Sequence, residues 1–123
     1  MRLTRFHQVA AHCNDLDASR TFYQHVLGAR LLGRFDPPGL LFFDFNGVRL
    51  LLERNAAPGT LYFRVDDIDA AYTALSGRGV VFDGEPHLIH RDDTGVFDNA
   101  GTEEWMVFFK DPGGNTLALA SRR

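Results

Sequence analysis

Chemistry-bearing side chains recur at every second position of several short apolar segments. Gln8, Ala10 and His12 alternate with Val9, Ala11 and Cys13, and Thr60, Tyr62 and Arg64 alternate with Leu61, Phe63 and Val65. Alternation of this kind is the period of a strand with two unlike faces. The same parity in later segments adds Arg49, Leu51 and Glu53, then Thr116, Ala118 and Ala120, and from the middle of the second half His87, Glu103 and Trp105. On one face these supply two imidazoles, two carboxylates, two guanidiniums and two large rings. A dry core does not hold that much polarity, because an unpaired polar group costs free energy on burial. The set suits a wet cleft with apolar walls and a few polar anchors for a small organic molecule.

Within that set Arg64 is the expected anion anchor, since its planar fork matches a carboxylate or enolate oxygen. His87 and Glu103 are the expected proton-transfer pair, one group able to take a proton and the other to give it. Gln8, His12, Arg49, Glu53, Thr60, Tyr62 and Trp105 complete the expected ligand contacts. A plainer reading stands beside each: His12 or His87 as a hydrogen-bonded strand residue, Arg64 neutralised by Glu53 or Glu103, and Trp105 as core. Other constellations are bland. Ser19, Ser76 and Ser121 lie in no nucleophile-elbow context. Cys13 falls in the alternate set and is expected to be buried. Gly77-Arg78-Gly79 reads as a helix stop, because no helix follows it to hold a phosphate. His90-Arg91-Asp92-Asp93 opens a polar loop.

The elements that must position these groups come in two copies, offset by the 52 residues between Asp15 and Asp67. Each copy starts with a strand and continues through an Asp-aliphatic-Asp step into an amphipathic helix with a Gly stop. Asp15 and Asp67 stand where an N-cap belongs. The helices are expected over Leu16–Val26 and Ile68–Leu75, the second with an Ile68, Ala71, Tyr72, Leu75 stripe. Strands follow at Ala29–Phe35, Leu40–Phe45 and Val48–Glu53, the last two joined by Asn46-Gly47, a strong hairpin signal. The second copy offers Val80–Phe82, Glu85–Arg91, Glu103–Phe109 and Asn115–Ala120. The expectation is one α+β domain over 1–123, of two βαβββ modules, 1–54 and 60–123, joined by 55–59.

Composition excludes several classes. With 123 residues, 45% hydrophobic and 24% charged, the chain has the balance of a globular domain. A net charge of −3 gives no footprint for nucleic acid or an anionic membrane. No apolar run approaches the roughly 20 residues that span a bilayer. One Cys excludes an internal disulfide or a thiolate zinc cluster. A cytoplasmic protein is the expectation, and the eleven Phe must be buried or line a pocket.

Three blocks of sequence carry a family resemblance: Asn14-Asp15-Leu16-Asp17-Ala18-Ser19 with Phe22-Tyr23 and Val26-Leu27-Gly28; Phe63 through Asp69; and Phe108 through Asn115. In order and spacing they resemble the vicinal oxygen chelate superfamily of glyoxalases, bleomycin-resistance proteins, extradiol dioxygenases and methylmalonyl-CoA epimerases, over nearly the whole chain. The resemblance implies half-barrels that form a curved mixed sheet with the helices outside. It also implies a divalent metal held from four positions, which fall here on Gln8, Leu51, Thr60 and Ala118. Leu and Ala have no donor atom and a Thr hydroxyl is a poor ligand. No metal and no cofactor is therefore expected at the family position; His7 or Gln8 with Glu53 is the alternative site. The function implied is binding of a small organic molecule by a homodimer, as in the bleomycin-resistance branch. The alternative is a lyase, isomerase or epimerase of the glyoxalase type. A dioxygenase is weakest, since no two-His, one-carboxylate iron site assembles.

Overall fold

The computed structural model describes residues 1–123 as two compact units. The first comprises Met1–Gly59 with Asp111–Asn115, the second Thr60–Lys110 with Thr116–Arg123. The 111–115 turn thus groups with the first unit, although it lies within the second sequence copy.

The first unit begins with β1 (Gln8–His12) and α1 (Leu16–Arg20), which widens into π-helical geometry over Thr21–Val26. Strands β2 (Arg30–Phe35), β3 (Leu40–Phe45) and β4 (Val48–Glu53) follow. The second unit has β5 (Thr60–Arg64), α2 (Ile68–Gly77), β6 (His87–Asp92), β7 (Thr102–Lys110) and β8 (Thr116–Arg122). Each unit forms a four-stranded mixed sheet, ordered β1-β4-β3-β2 and β5-β8-β7-β6, whose first and last strands pair in parallel. These are the two βαβββ half-barrel modules of an α+β fold.

Both expected caps form. The Asp15 carboxylate accepts from the Ala18 amide at 3.1 Å and that of Asp67 from the Ala70 amide at 3.0 Å, satisfying donors that a first helical turn leaves free. Asn46 and Gly47 turn β3 into β4 with φ of 54° and 92°, the left-handed pair that a tight hairpin requires. One expectation is corrected: Val80–Phe82 is no strand. Only Phe82 bridges Phe109, because Gly84 at φ 105° turns the chain away. The Phe82 ring is held between Tyr72 and Phe109, at 4.8 and 5.1 Å.

Strand alternation puts the helix-facing residues in the core. Ala11, Cys13, Leu41, Phe43, Leu50 and Leu52 are buried in the first unit, and Val107, Phe109, Leu117 and Leu119 in the second. Each large aliphatic or aromatic side chain so removed from water contributes about 1.5–3 kcal/mol. The opposite, helix-free face of each sheet is left for other work.

Candidate functional site

On the helix-free face of the second unit, cross-strand register aligns Arg64, Ala120 and Met106 in one row and sets Glu104 beside Arg122. With Tyr62 they line a cleft of about 370 Å³. The methyl-sized Ala120 side chain leaves the floor open between longer neighbours. Tyr62 is 59% exposed and meets Phe108 edge to face at 6.3 Å, giving the cleft an aromatic wall.

Charge in this cleft is unevenly satisfied. Arg122 donates from Nη2 to Thr102 Oγ1 at 3.1 Å and lies 3.9 Å from the Asp92 carboxylate. Arg64 is exposed and forms no side-chain hydrogen bond or ion pair. Glu104 is half-buried, and its carboxylate likewise has no protein partner. The cleft therefore offers one uncommitted cation and one uncommitted carboxylate between apolar walls. It can fix an anion by a charge-assisted fork, and Glu104 can hold or take a proton.

The expected residues divide between this face and elsewhere. Tyr62, Arg64 and Thr60 share the helix-free face of β5, and His87, opposite Met106, is on the same side of its sheet. Glu103 and Trp105 are not, and their placement is corrected: the register puts Trp105 opposite Ser121 and Leu88, in the helix-facing set. There the Trp105 indole donates to Glu103 Oε1 at 3.2 Å, and Arg123 stacks over the ring at 4.6 Å. Glu103 also pairs with Arg91 at 3.5 Å, so it neither neutralises Arg64 nor meets His87. His87 is exposed, its Nδ1 3.0 Å from the Glu85 carbonyl. The expected His87–Glu103 proton-transfer pair does not form. Glu104, Met106 and Arg122 are the lining residues that the sequence reading missed. Folding β7 onto β8 about the Asp111–Gly114 turn sets Phe108 against Ala118, and counting back by twos from Phe108 finds Met106 and Glu104.

On the first unit's helix-free face, Gln8, Ala10 and His12 lie opposite Arg49, Leu51 and Glu53. His12 is structural here. Its Nδ1 is 2.9 Å from the Ala56 carbonyl and its Nε2 2.6 Å from Asn14 Oδ1. Arg49 donates from Nε to Gln8 Oε1 at 3.0 Å and from Nη2 to His7 Nε2 at 2.9 Å.

The four positions where the fold family holds a metal do not fit one. Leu51 and Ala118 are buried hydrocarbon. The oxygen of Gln8 already faces the Arg49 guanidinium, which repels a cation. The alternative pairing of His7 or Gln8 with Glu53 fails on register: Gln8 lies opposite Arg49 and Glu53 opposite His12. That is four or more strand positions, roughly 13 Å at ~3.3 Å per residue.

Asn115 is the hub of a buried polar cluster in the first unit. Its side chain donates to the His12 carbonyl at 2.7 Å and to Asp111 Oδ2 at 2.8 Å. It accepts from the amides of His12 at 3.2 Å and Gly59 at 2.9 Å. Asp111 also accepts from the Tyr23 hydroxyl at 2.5 Å. Burial, with the negative Asp111 beside it, pushes the Tyr23 hydroxyl far above the usual phenol range. Only glycine fits at 113, since a Cβ there would stand 2.5 Å from the His12 carbonyl oxygen. Burial likewise pushes the Cys13 thiol up, so it is a packing residue and not a nucleophile.

In the second unit Asp92 accepts from the amides of Phe97, Val96 and Gly95 at 2.8, 2.8 and 3.0 Å. Those donors hold its carboxyl below the ordinary carboxylate range. They also shape the 93–101 loop, whose tip exposes Val96 and Phe97.

A family model described as Glyoxalase/Bleomycin resistance protein/Dioxygenase superfamily matches residues 5–119. Among solved structures, the lactoylglutathione lyase of Agrobacterium tumefaciens is 22% identical with a TM-score of 0.74, covering 98% of this chain and 95% of that one. A virulence protein of Salmonella typhimurium is 19% identical with a TM-score of 0.77, covering 98% of each chain. A member of the same superfamily from Sphaerobacter thermophilus is 22% identical with a TM-score of 0.73, covering 97% and 98%. At these identities the likeness is one of fold. Comparison with curated proteins by sequence gives no match. No helix is long and apolar enough to cross a membrane.

Proposed function

The chain belongs to the Glyoxalase/Bleomycin resistance protein/Dioxygenase superfamily, and from that premise we propose that it binds a small organic anion without a metal, in the cleft around Arg64. The observation that carries this reading is the Arg64 guanidinium, exposed and unpaired among Tyr62, Met106 and Ala120. A carboxylate or enolate oxygen satisfies the fork while the rest of the ligand lies on the apolar wall. Binding is the function; the working form is a homodimer. Exposed Leu3 and Phe6, at 92% and 77%, support self-association.

A second reading, favoured by Glu104 alone, is proton transfer of the lyase or isomerase type. An unpaired carboxylate in the cleft that holds the anion can serve as general base. Glu104→Gln separates the readings: it leaves uptake intact in both and abolishes turnover only in the second.

The test of binding is a thermal-shift screen of small organic carboxylates against the protein and Arg64→Ala. At least one carboxylate should raise the melting temperature, and the substitution should weaken its uptake by about 1.5–3 kcal/mol. The variant's own stability should change by less than about 0.5 kcal/mol. A large loss of stability with uptake intact would end the assignment. Elemental analysis of protein purified without chelators should find far less than one metal per chain.

A further inference from the structure

We propose that the helix-free face of the first unit carries a ligand site of its own, lined by that unit's residues alone, that takes a flat aromatic carboxylate. A cleft of about 330 Å³ opens there, lined by Leu32, Gly33, Phe35, Phe42 and Arg49. Its walls are aromatic: the Phe35 and Phe42 rings meet edge to face, centroids 5.8 Å apart at 81°. Its one charge is the Arg49 guanidinium, 5.7 Å from the centre of the Phe42 ring.

The cation is oriented but not neutralised. Gln8 and His7 engage two of the five N–H donors that a guanidinium carries, and the remaining three have no protein acceptor. Asp44, directly opposite on β3, is turned aside: it accepts from the Gly47 amide at 3.1 Å and lies 3.9 Å from Arg30. A planar fork held by neighbours and left without an anion matches a carboxylate in geometry as well as charge.

The platform beside it is built for a ring. Register slips between Leu31 and Gly33, and the bulge presents Leu32, 45% exposed, in the cleft. A bulge re-aims the side chain it carries. Phe35 is 55% exposed, and its ring lies close over Gly33, where a Cβ would stand 3.1 Å from Cε2. A small inorganic anion would leave these apolar faces wet. A neutral aromatic would desolvate Arg49 without pairing it, which costs free energy. A ring that bears a carboxylate satisfies both.

The probe is 2-naphthoate, titrated into the full chain and followed by backbone amide shifts. Shifts should concentrate at Leu32, Gly33, Phe42 and Arg49. The neutral analogue 2-naphthalenemethanol and the non-planar cyclohexanecarboxylate should each bind at least about tenfold more weakly, the loss of one charge-assisted bond or one stacking face. Arg49→Met should weaken naphthoate by a similar factor. Gly33→Ala removes no charge and no hydrogen bond but displaces the Phe35 ring, and it should weaken naphthoate while the melting temperature holds. Shifts confined to Tyr62, Arg64 and Met106 would overturn the proposal. So would equal binding of the alcohol, or a Gly33→Ala variant that binds naphthoate as the parent does.

Discussion

His12 and Arg64 occupy matching places, each the last residue of the first strand in its unit and each on the helix-free face. In the first unit both ring nitrogens of His12 are engaged, by Ala56 and Asn14, and its backbone is clasped by Asn115. In the second unit the Arg64 side chain has no protein acceptor. The two modules share strand order, parallel first and last strands and an Asp cap. The 111–115 turn adds Asp111 and Asn115 to the first unit's polar cluster. There the polar end of the strand is structure; in the second unit it is available to a ligand. Repetition of a backbone plan does not repeat the role of a position, because the role depends on what packs against it.

The sharpest way to break that comparison is Asn115→Ala. It strands the His12 and Gly59 amides, the His12 carbonyl and part of Asp111 in a buried site. The expected loss is about 3–5 kcal/mol in denaturant unfolding; a loss below 1 kcal/mol would mean that the cluster is not what locks the first unit. Next in size is the matched pair. His12→Ala should cost about 1–2 kcal/mol, and Arg64→Ala close to nothing. The reverse order would exchange the roles assigned to the two positions.

The caps should show no contrast: Asp15→Ala and Asp67→Ala should each cost about 1 kcal/mol. Unequal losses in thermal unfolding would show that the two helices do not contribute alike. The smallest effect concerns Asp92. Its carboxyl is held below the ordinary value of 3.8 by the amides of Phe97, Val96 and Gly95, so it binds a proton less readily folded than unfolded. The stability it contributes is present above pH 3.8 and is lost as pH falls through its lowered folded value. Hydrogen exchange at Gly95, Val96 and Phe97 should quicken on that acid limb while Leu50 and Leu52 stay protected. Simultaneous loss of protection at both sets would deny the loop its own switch.

Much of the fold was legible in local pattern. Alternation from Gln8 to Cys13 and from Thr60 to Val65 assigned both first strands and their faces, and two Asp residues marked both helix starts. The Asn46-Gly47 hairpin carries the parity of β3 into β4 without a slip. Parity failed where the chain between known points was irregular. Across the long loop of 93–101 and the bulge between Leu88 and His90, a count of alternate residues has no anchor. Parity alone therefore puts Glu103 and Trp105 on the wrong face and passes over Glu104 and Met106. A slip of one residue exchanges every side chain between the faces of a strand.

The sequence by itself determined the modules, their helix caps, the helix-free faces of β1, β4 and β5, and the lack of donor atoms at Leu51 and Ala118. All of these follow from residue type and from periods of two and 3.6 residues. Tertiary structure alone decided which charged groups find partners. His12 was taken up by Ala56, 44 residues away, and Asn115 reached it across 103 residues. Glu103 went to Arg91 and Trp105, while Arg64 and Glu104 were left open. A side chain's charge is written in the chain, but whether that charge is satisfied depends on groups that only folding brings within about 3 Å.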